Sequence, residues 1–283
     1  MTQPILLSAS ELREAREKSA CVIVDCRFAL EDTDAGFEDY LDSHIPGAVY
    51  AHLDNDLSSP VTNTGGRHPL PDVDNFAEFL AASGWVPGHL LVAYDDAGGA
   101  IAARLWWLMK YFGHDGAALL DGGIPAWWAA GFELESGHSS ATRLPVTPCR
   151  IRDGLSVSTS EIAEALGSNE ILLADARAPE RFTGEIETID SVAGHIPGSV
   201  NYPYNHNLNR SGKFKAVEEV RDGLLKLAGS HQLQDLVHMC GSGVTACHNI
   251  FAAELAGLSS PRLYVGSWSE WIRDPSRPIK LSN

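Results

Sequence analysis

Two kinds of hydrophobic spacing alternate along the chain. Short, nearly continuous apolar runs recur, among them Cys21-Val22-Ile23-Val24-Asp25, Leu90-Leu91-Val92-Ala93-Tyr94, Ile171-Leu172-Leu173-Ala174-Asp175 and Leu236-Val237-His238-Met239. Runs of this length without polar alternation predict strands buried on both faces. Between them lie longer stretches with helical character, such as 100–111 and 245–256, followed by Gly113 and Gly257 where helix C-caps are expected. Ser8 with Glu11, and Ser158 with Glu161, have the spacing of capping boxes and predict helix starts. Buried strands alternating with helices imply parallel sheets with helices on both faces, the α/β class.

The pattern occurs twice. Ser8-Ala9-Ser10-Glu11-Leu12 is echoed by Ser158-Thr159-Ser160-Glu161-Ile162, and Asp25-Cys26-Arg27 by Asp175-Ala176-Arg177. His44-Ile45-Pro46-Gly47 matches His195-Ile196-Pro197-Gly198, and Leu119-Leu120-Asp121-Gly122-Gly123 matches Leu263-Tyr264-Val265-Gly266-Ser267. A repeat unit this long is a whole domain, so the chain is an internal duplication. The expected organisation is a first domain at 1–134, a linker at 135–152 rich in Ser, Thr, Pro and Gly, and a second domain at 153–283.

Composition narrows the function classes. The formal net charge of −16 argues against a nucleic-acid partner, and no apolar run is long enough for a membrane span. The N-terminal stretch Met1-Thr2-Gln3-Pro4-Ile5-Leu6-Leu7 turns charged by Glu11, which does not suit a signal peptide. Five cysteines, without framework spacing, fit a reduced cytoplasmic protein.

In open α/β sheets ligands bind beyond the carboxyl ends of the strands. After Met239 comes Cys240-Gly241-Ser242-Gly243-Val244-Thr245, then a helix. Glycines let successive amides curl inward around the thiol, and the helix start adds positive potential. Such a setting lowers a cysteine's pKa and makes it a nucleophile; the plainer reading is an inert buried thiol. The equivalent position after Tyr94 is Asp95, which cannot act as a sulfur nucleophile, so the first half is expected to be catalytically silent.

The two His-Ile-Pro-Gly segments, Asp121-Gly122-Gly123, the loop from Cys240 to Thr245 and Gly266-Ser267-Trp268-Ser269-Glu270-Trp271 together resemble the tandem-domain sulfurtransferases of the rhodanese superfamily. The resemblance covers nearly the whole chain. It implies two rhodanese-like domains and an enzyme in which Cys240 becomes a persulfide. The sulfur would lie among the amides of Gly241, Ser242, Gly243, Val244 and Thr245, and a thiol acceptor, such as a thioredoxin-like protein, or cyanide would remove it, with no cofactor or metal. The small neutral Gly241-Ser242 pair is similar to the loop of mercaptopyruvate enzymes, with Ser242 either a donor to the substrate or a loop cap. Arg181 aligns with an arginine that grips the donor's carboxylate. Nine residues on, where mercaptopyruvate enzymes carry a second arginine, stands Asp190, an acid that resembles thiosulfate enzymes instead. The donor is thus expected to be 3-mercaptopyruvate, with thiosulfate as the alternative. By the same resemblance His44 could form a relay with Ser242, oriented by Asp32 or Asp34. Its duplicate His195 favours a structural role for both, as for the duplicated Asp25, Arg27, Asp175 and Arg177.

Other readings fit the residues less well. His238, Cys240, Cys247 and His248 suggest zinc, yet no closely spaced Cys pair supports a four-ligand site. A cysteine phosphatase needs an arginine six residues after its Cys, where this chain has Ala246. A non-catalytic rhodanese-like binding module would ordinarily have lost Cys240. Trp106, Trp107, Trp127 and Trp128 are expected as packing, and Arg210, Lys213 and Lys215 as a solvated basic loop.

Overall fold

A computed structural model describes residues 4–18, 20–168, 170–259 and 261–282; Met1-Thr2-Gln3 of the N-terminal stretch lie outside them. The chain divides into two compact units. The first comprises Met1–Ser59, Leu70–Arg152 and Arg210–Phe214; the second comprises Pro60–Pro69, Asp153–Asn209 and Lys215–Asn283.

The first unit contains β1 (Leu6–Leu7), α1 (Ala9–Lys18), β2 (Cys21–Asp25), α2 (Ala35–Asp42), β3 (Val49–Tyr50), α3 (Val73–Ala82), β4 (Leu90–Tyr94), α4 (Ala102–Tyr111), β5 (Ala117–Leu120) and α5 (Gly123–Ala129). Its sheet has the order β1-β5-β4-β2-β3, every pair parallel. The second unit repeats it with β6 (Ser156–Val157), α6 (Thr159–Ala165), β7 (Leu172–Asp175), α7 (Pro179–Thr183), β8 (Val200–Asn201), α8 (Val217–Ala228), β9 (Leu236–Met239), α9 (Ala246–Leu255), β10 (Arg262–Tyr264) and α10 (Ser267–Trp271). Its order, β6-β10-β9-β7-β8, is the same arrangement, again all parallel. The chain therefore has the duplicated α/β architecture that its repeated motifs imply. Among the described residues no helix is long and apolar enough to cross a membrane.

Both capping boxes form: the Glu11 and Glu161 carboxylates accept the amides of Ser8 and Ser158, whose hydroxyls accept in return. Each sheet buries its own apolar cluster, with Leu12, Ile23, Val92 and Trp127 in the first unit and Ile162, Val237, Trp268 and Trp271 in the second. Trp106 and Trp107 are core as expected, but Trp128 is 66% exposed, because α5 turns it away from the sheet that buries Trp127.

The duplicated polar residues build one device in each unit. Asp25 and Asp175, both fully buried, each hold the guanidinium two residues on, and the Nη2 of that arginine reaches a carbonyl at Ser43 or Gly194, just before the His-Ile-Pro-Gly turn. Residues 135–152 do not hang free between the units. Amides of Glu135, Leu144, Arg150 and Arg152 bond to the carbonyls of His44, Ala81, Phe112 and Tyr111, which strap this segment onto the first unit.

Candidate active site

Cys240 directly follows β9 and is 2% exposed. The Gly243 amide donates to its Sγ at 3.1 Å. Gly243 has φ +77°, and a Cβ there would stand 2.5 Å from the Val265 carbonyl oxygen, so only glycine lets the loop curl back on the sulfur. Val244 is buried at the bend, Thr245 leads into α9, and Cys247 donates its thiol to the Gly243 carbonyl at 3.3 Å.

A second loop pins the first. Ser267 has φ +53°, the one non-glycine with positive φ among the described residues. Its Oγ accepts the Cys240 amide at 3.1 Å and donates to the Tyr264 carbonyl at 2.9 Å. The strained backbone is the cost of placing that hydroxyl beneath the cysteine. Amides of Trp268 and Ser269 then donate to the carbonyls of Cys240 and Gly241, at 3.0 and 2.8 Å.

The first unit carries the same loop in another chemical form. Ile124 donates its amide to the Asp95 carbonyl as Trp268 does to that of Cys240, and Gly123, with φ +58°, occupies the Ser267 position. The Asp95 carboxylate fills the cradle itself. Oδ1 accepts the amides of Ala97 and Gly99, and Oδ2 those of Ile101 and Ala102, at 2.8–2.9 Å. A buried carboxylate with four amide donors leaves that nest no vacancy for an anion.

Residues 60–69 add two side chains that sequence reasoning passed over. His68, 4% exposed, has Nδ1 2.7 Å from the Ser242 hydroxyl. Arg67 donates from Nη1 to Asp190 at 2.6 Å, and its amide donates to the Ser269 hydroxyl at 2.9 Å. Gly66 permits the approach, since a Cβ there would lie 2.7 Å from the Gly266 carbonyl oxygen. Arg181, on α7, donates to Glu187 and, through Nη2, to Asp190 at 2.8 Å. Burial raises the Glu187 pKa, but hydrogen bonds from the Asp190 amide and Arg181 outweigh it and leave the pKa below its usual value. A Cβ on Gly241 would stand 3.1 Å from Arg67 Nη2 and 3.7 Å from the terminal nitrogens of Arg181. The second unit thus brings together Cys240, Gly241, Ser242, Gly243 and Arg181 from the sequence expectation, and adds Arg67, His68 and Asp190.

His44 belongs to the first unit and is fully buried, with Nδ1 2.7 Å from the Tyr40 carbonyl and Nε2 3.0 Å from Glu135. Its ring stacks on Tyr40 as that of His195 stacks on Phe182, and each begins a bridge to a later segment, at Glu135 and Lys280. Ser242, the hydroxyl that a relay would need, pairs instead with His68. Among the described residues no group of three or more His, Cys, Asp or Glu side chains gathers to hold a metal, and His238, Cys240, Cys247 and His248 form no such cluster.

Residues 8–130 and 158–274 each match the Rhodanese-like domain family. The chain is 46% identical over 281 residues to a Pseudomonas aeruginosa protein named "Probable 3-mercaptopyruvate sulfurtransferase", with 99% of each covered. It is 35% identical over 277 residues to the 3-mercaptopyruvate sulfurtransferase of Homo sapiens, covering 93% of this chain and 89% of that one. The solved 3-mercaptopyruvate sulfurtransferase from Leishmania major superposes with a TM-score of 0.84 at 35% identity, over 95% of this chain and 74% of that one. With both halves matched and a buried cysteine cradled at the end of the second sheet, the chain belongs to the rhodanese family as a tandem-domain sulfurtransferase.

Proposed function

We propose that the protein takes sulfur from 3-mercaptopyruvate and passes it to a thiol or to cyanide through a persulfide on Cys240. The observation that carries this reading is the company of one sulfur atom. The Gly243 amide donates to it, Ser242 two residues on pairs with His68, and the Arg181 guanidinium lies 3.7 Å from where a side chain on the next residue, Gly241, would begin.

The chemistry balances in two steps. The Cys240 thiolate attacks the donor's sulfur, an S–S bond forms, and the C–S bond breaks with its electron pair left on carbon as the enolate of pyruvate. A proton then converts the enolate to pyruvate. Ser242 and His68 are joined by a hydrogen bond suited to holding or moving that proton. The acceptor thiolate next attacks the outer sulfur and releases the Cys240 thiolate; a second thiol would resolve the acceptor persulfide to a disulfide and hydrosulfide. This is a ping-pong cycle. Loop amides stabilise the negative sulfur in both steps. All five cysteines are free, which suits a reducing compartment such as the cytoplasm, where thiol acceptors abound.

Whole-protein mass measurement after incubation with mercaptopyruvate tests the reading. One added sulfur on the wild type and none on Cys240→Ser is the expected result. No gain with mercaptopyruvate, alongside a gain with thiosulfate, would transfer the assignment to a thiosulfate enzyme.

A further inference from the structure

The geometry points to a two-arginine clamp for the donor's carboxylate, in which Arg67 supplies the second guanidinium and Asp190 is the positioning residue that holds both arginines and sets the anion charge the site accepts. The inference rests on reading Cys240 as the sulfur-accepting residue.

Asp190 takes one arginine on each oxygen, Arg67 Nη1 on Oδ1 at 2.6 Å and Arg181 Nη2 on Oδ2 at 2.8 Å. The acids lie beneath and the cations outward: the Asp190 and Glu187 side chains are 3% exposed, against 24% for Arg67 and 16% for Arg181. Both guanidiniums converge where a side chain on Gly241 would be, one residue from the nucleophile. Among the described residues the buried Nε of Arg67 has no hydrogen-bond partner. A buried donor without a partner is costly, and an incoming carboxylate would satisfy it or its neighbouring Nη2.

The acid at position 190 therefore has a physical role. An arginine there would face Arg67 with like charge, whereas an aspartate recruits Arg67 from the 60–69 segment. The network counts Arg67, Arg177 and Arg181 against Asp175, Glu187 and Asp190, so its charges cancel. It offers directed N–H groups without surplus positive charge. With the neutral pair Gly241-Ser242 as the adjoining loop, that suits the single carboxylate of a 2-oxo acid better than a dianion, whose second charge would find no surplus cation there.

Calorimetric titration of the full chain at low ionic strength tests this with two unreactive probes, pyruvate as the monoanion and sulfate as the dianion. The wild type should bind pyruvate more tightly than sulfate. Arg67→Gln should weaken pyruvate about tenfold or more and raise KM for mercaptopyruvate with a smaller change in kcat. Arg67→Lys keeps the ion pair with Asp190 but loses the fork, so its pyruvate affinity should fall between the two. Asp190→Asn should shift the sulfate-to-pyruvate affinity ratio about tenfold towards sulfate, a change in selectivity that mere loosening of the fold would not produce. Wild-type pyruvate affinity in Arg67→Gln, an unchanged ratio in Asp190→Asn, or no pyruvate binding by the wild type would each overturn the clamp. Pyruvate binding that depends on Arg67, without persulfide formation from mercaptopyruvate, would leave the clamp standing and remove the donor assignment.

Discussion

Asp95 and Cys240 occupy one position in two copies of the same loop, and each has its carbonyl oxygen held by an amide from the turn after the neighbouring strand, that of Ile124 or Trp268. In the second unit the amide of Gly243 faces a sulfur atom; in the first, four amides close on the Asp95 carboxylate. The two loops differ in what sits in the cradle, a thiol in one and a permanent internal anion in the other.

Asp95 should therefore matter to stability and not to turnover. Asp95→Ala leaves four amides without their acceptor, and its unfolding free energy should fall by about 2 kcal/mol or more. Urea unfolding would read the loss, and KM for the sulfur donor should stay at the wild-type value. A variant as stable as the wild type would show that the carboxylate is dispensable to its loop.

Ser242 and His68 form one hydrogen-bonded unit. Ser242→Ala and His68→Gln should each lower kcat with mercaptopyruvate by roughly 10²-fold, within the range of proton-transfer assistance. The double variant should be no slower than the worse single, because groups that act together are lost together. Losses that multiply would mean that the two act separately.

His44 gives the contrasting expectation. Both ring nitrogens are engaged within the first unit, so His44→Ala should cost about 1–3 kcal/mol through the partners it strands. Thermal unfolding should register this while kcat/KM remains within a factor of about two. A collapse in rate at an unchanged melting temperature would assign the relay to His44 after all.

A pH dependence follows from His238, two residues before Cys240. It is fully buried, neither ring nitrogen has a hydrogen-bond partner among the described residues, and burial pushes its pKa from 6.5 down to about 3. The unfolded chain takes up this proton below pH 6.5 while the folded chain refuses it until about pH 3. Stability is thus complete above the unfolded pKa and drains away on acidification, by ~1.4 kcal/mol per pH unit for one proton. His238→Leu removes the group, so its stability relative to the wild type should be ~2 kcal/mol more favourable at pH 5 than at pH 7.5. The same difference at both values would show that the buried imidazole does not govern the slope.

Much of this was legible in the chain because it is local. Apolar runs specify strands, Ser-to-Glu spacing specifies helix starts, and a Cys-Gly-Ser-Gly turn after a strand specifies a cradle, all within a few residues. Arg67 and His68 were not legible, since their partners Asp190 and Ser242 are 123 and 174 residues away. The available signal was the pair Gly65-Gly66 before two basic residues, between Pro60 and Pro69. The stretch with Arg210, Lys213 and Lys215 is not the solvated loop its composition suggests, since Phe214 donates to Asp121 and Lys213 reaches the space beside Gly122. Asp190 looked like a departure from the pattern because its two arginines could not be seen together.

The trade of segments 60–69 and 210–214 between the units has a consequence for heredity as well as for chemistry. A gene cut at the midpoint would part Cys240 from Arg67 and His68, and Asp121 from the Phe214 amide that bonds it. Each half of the chain thus carries a short segment that belongs to the other half's unit, so the two are bound by exchange as well as by the linker.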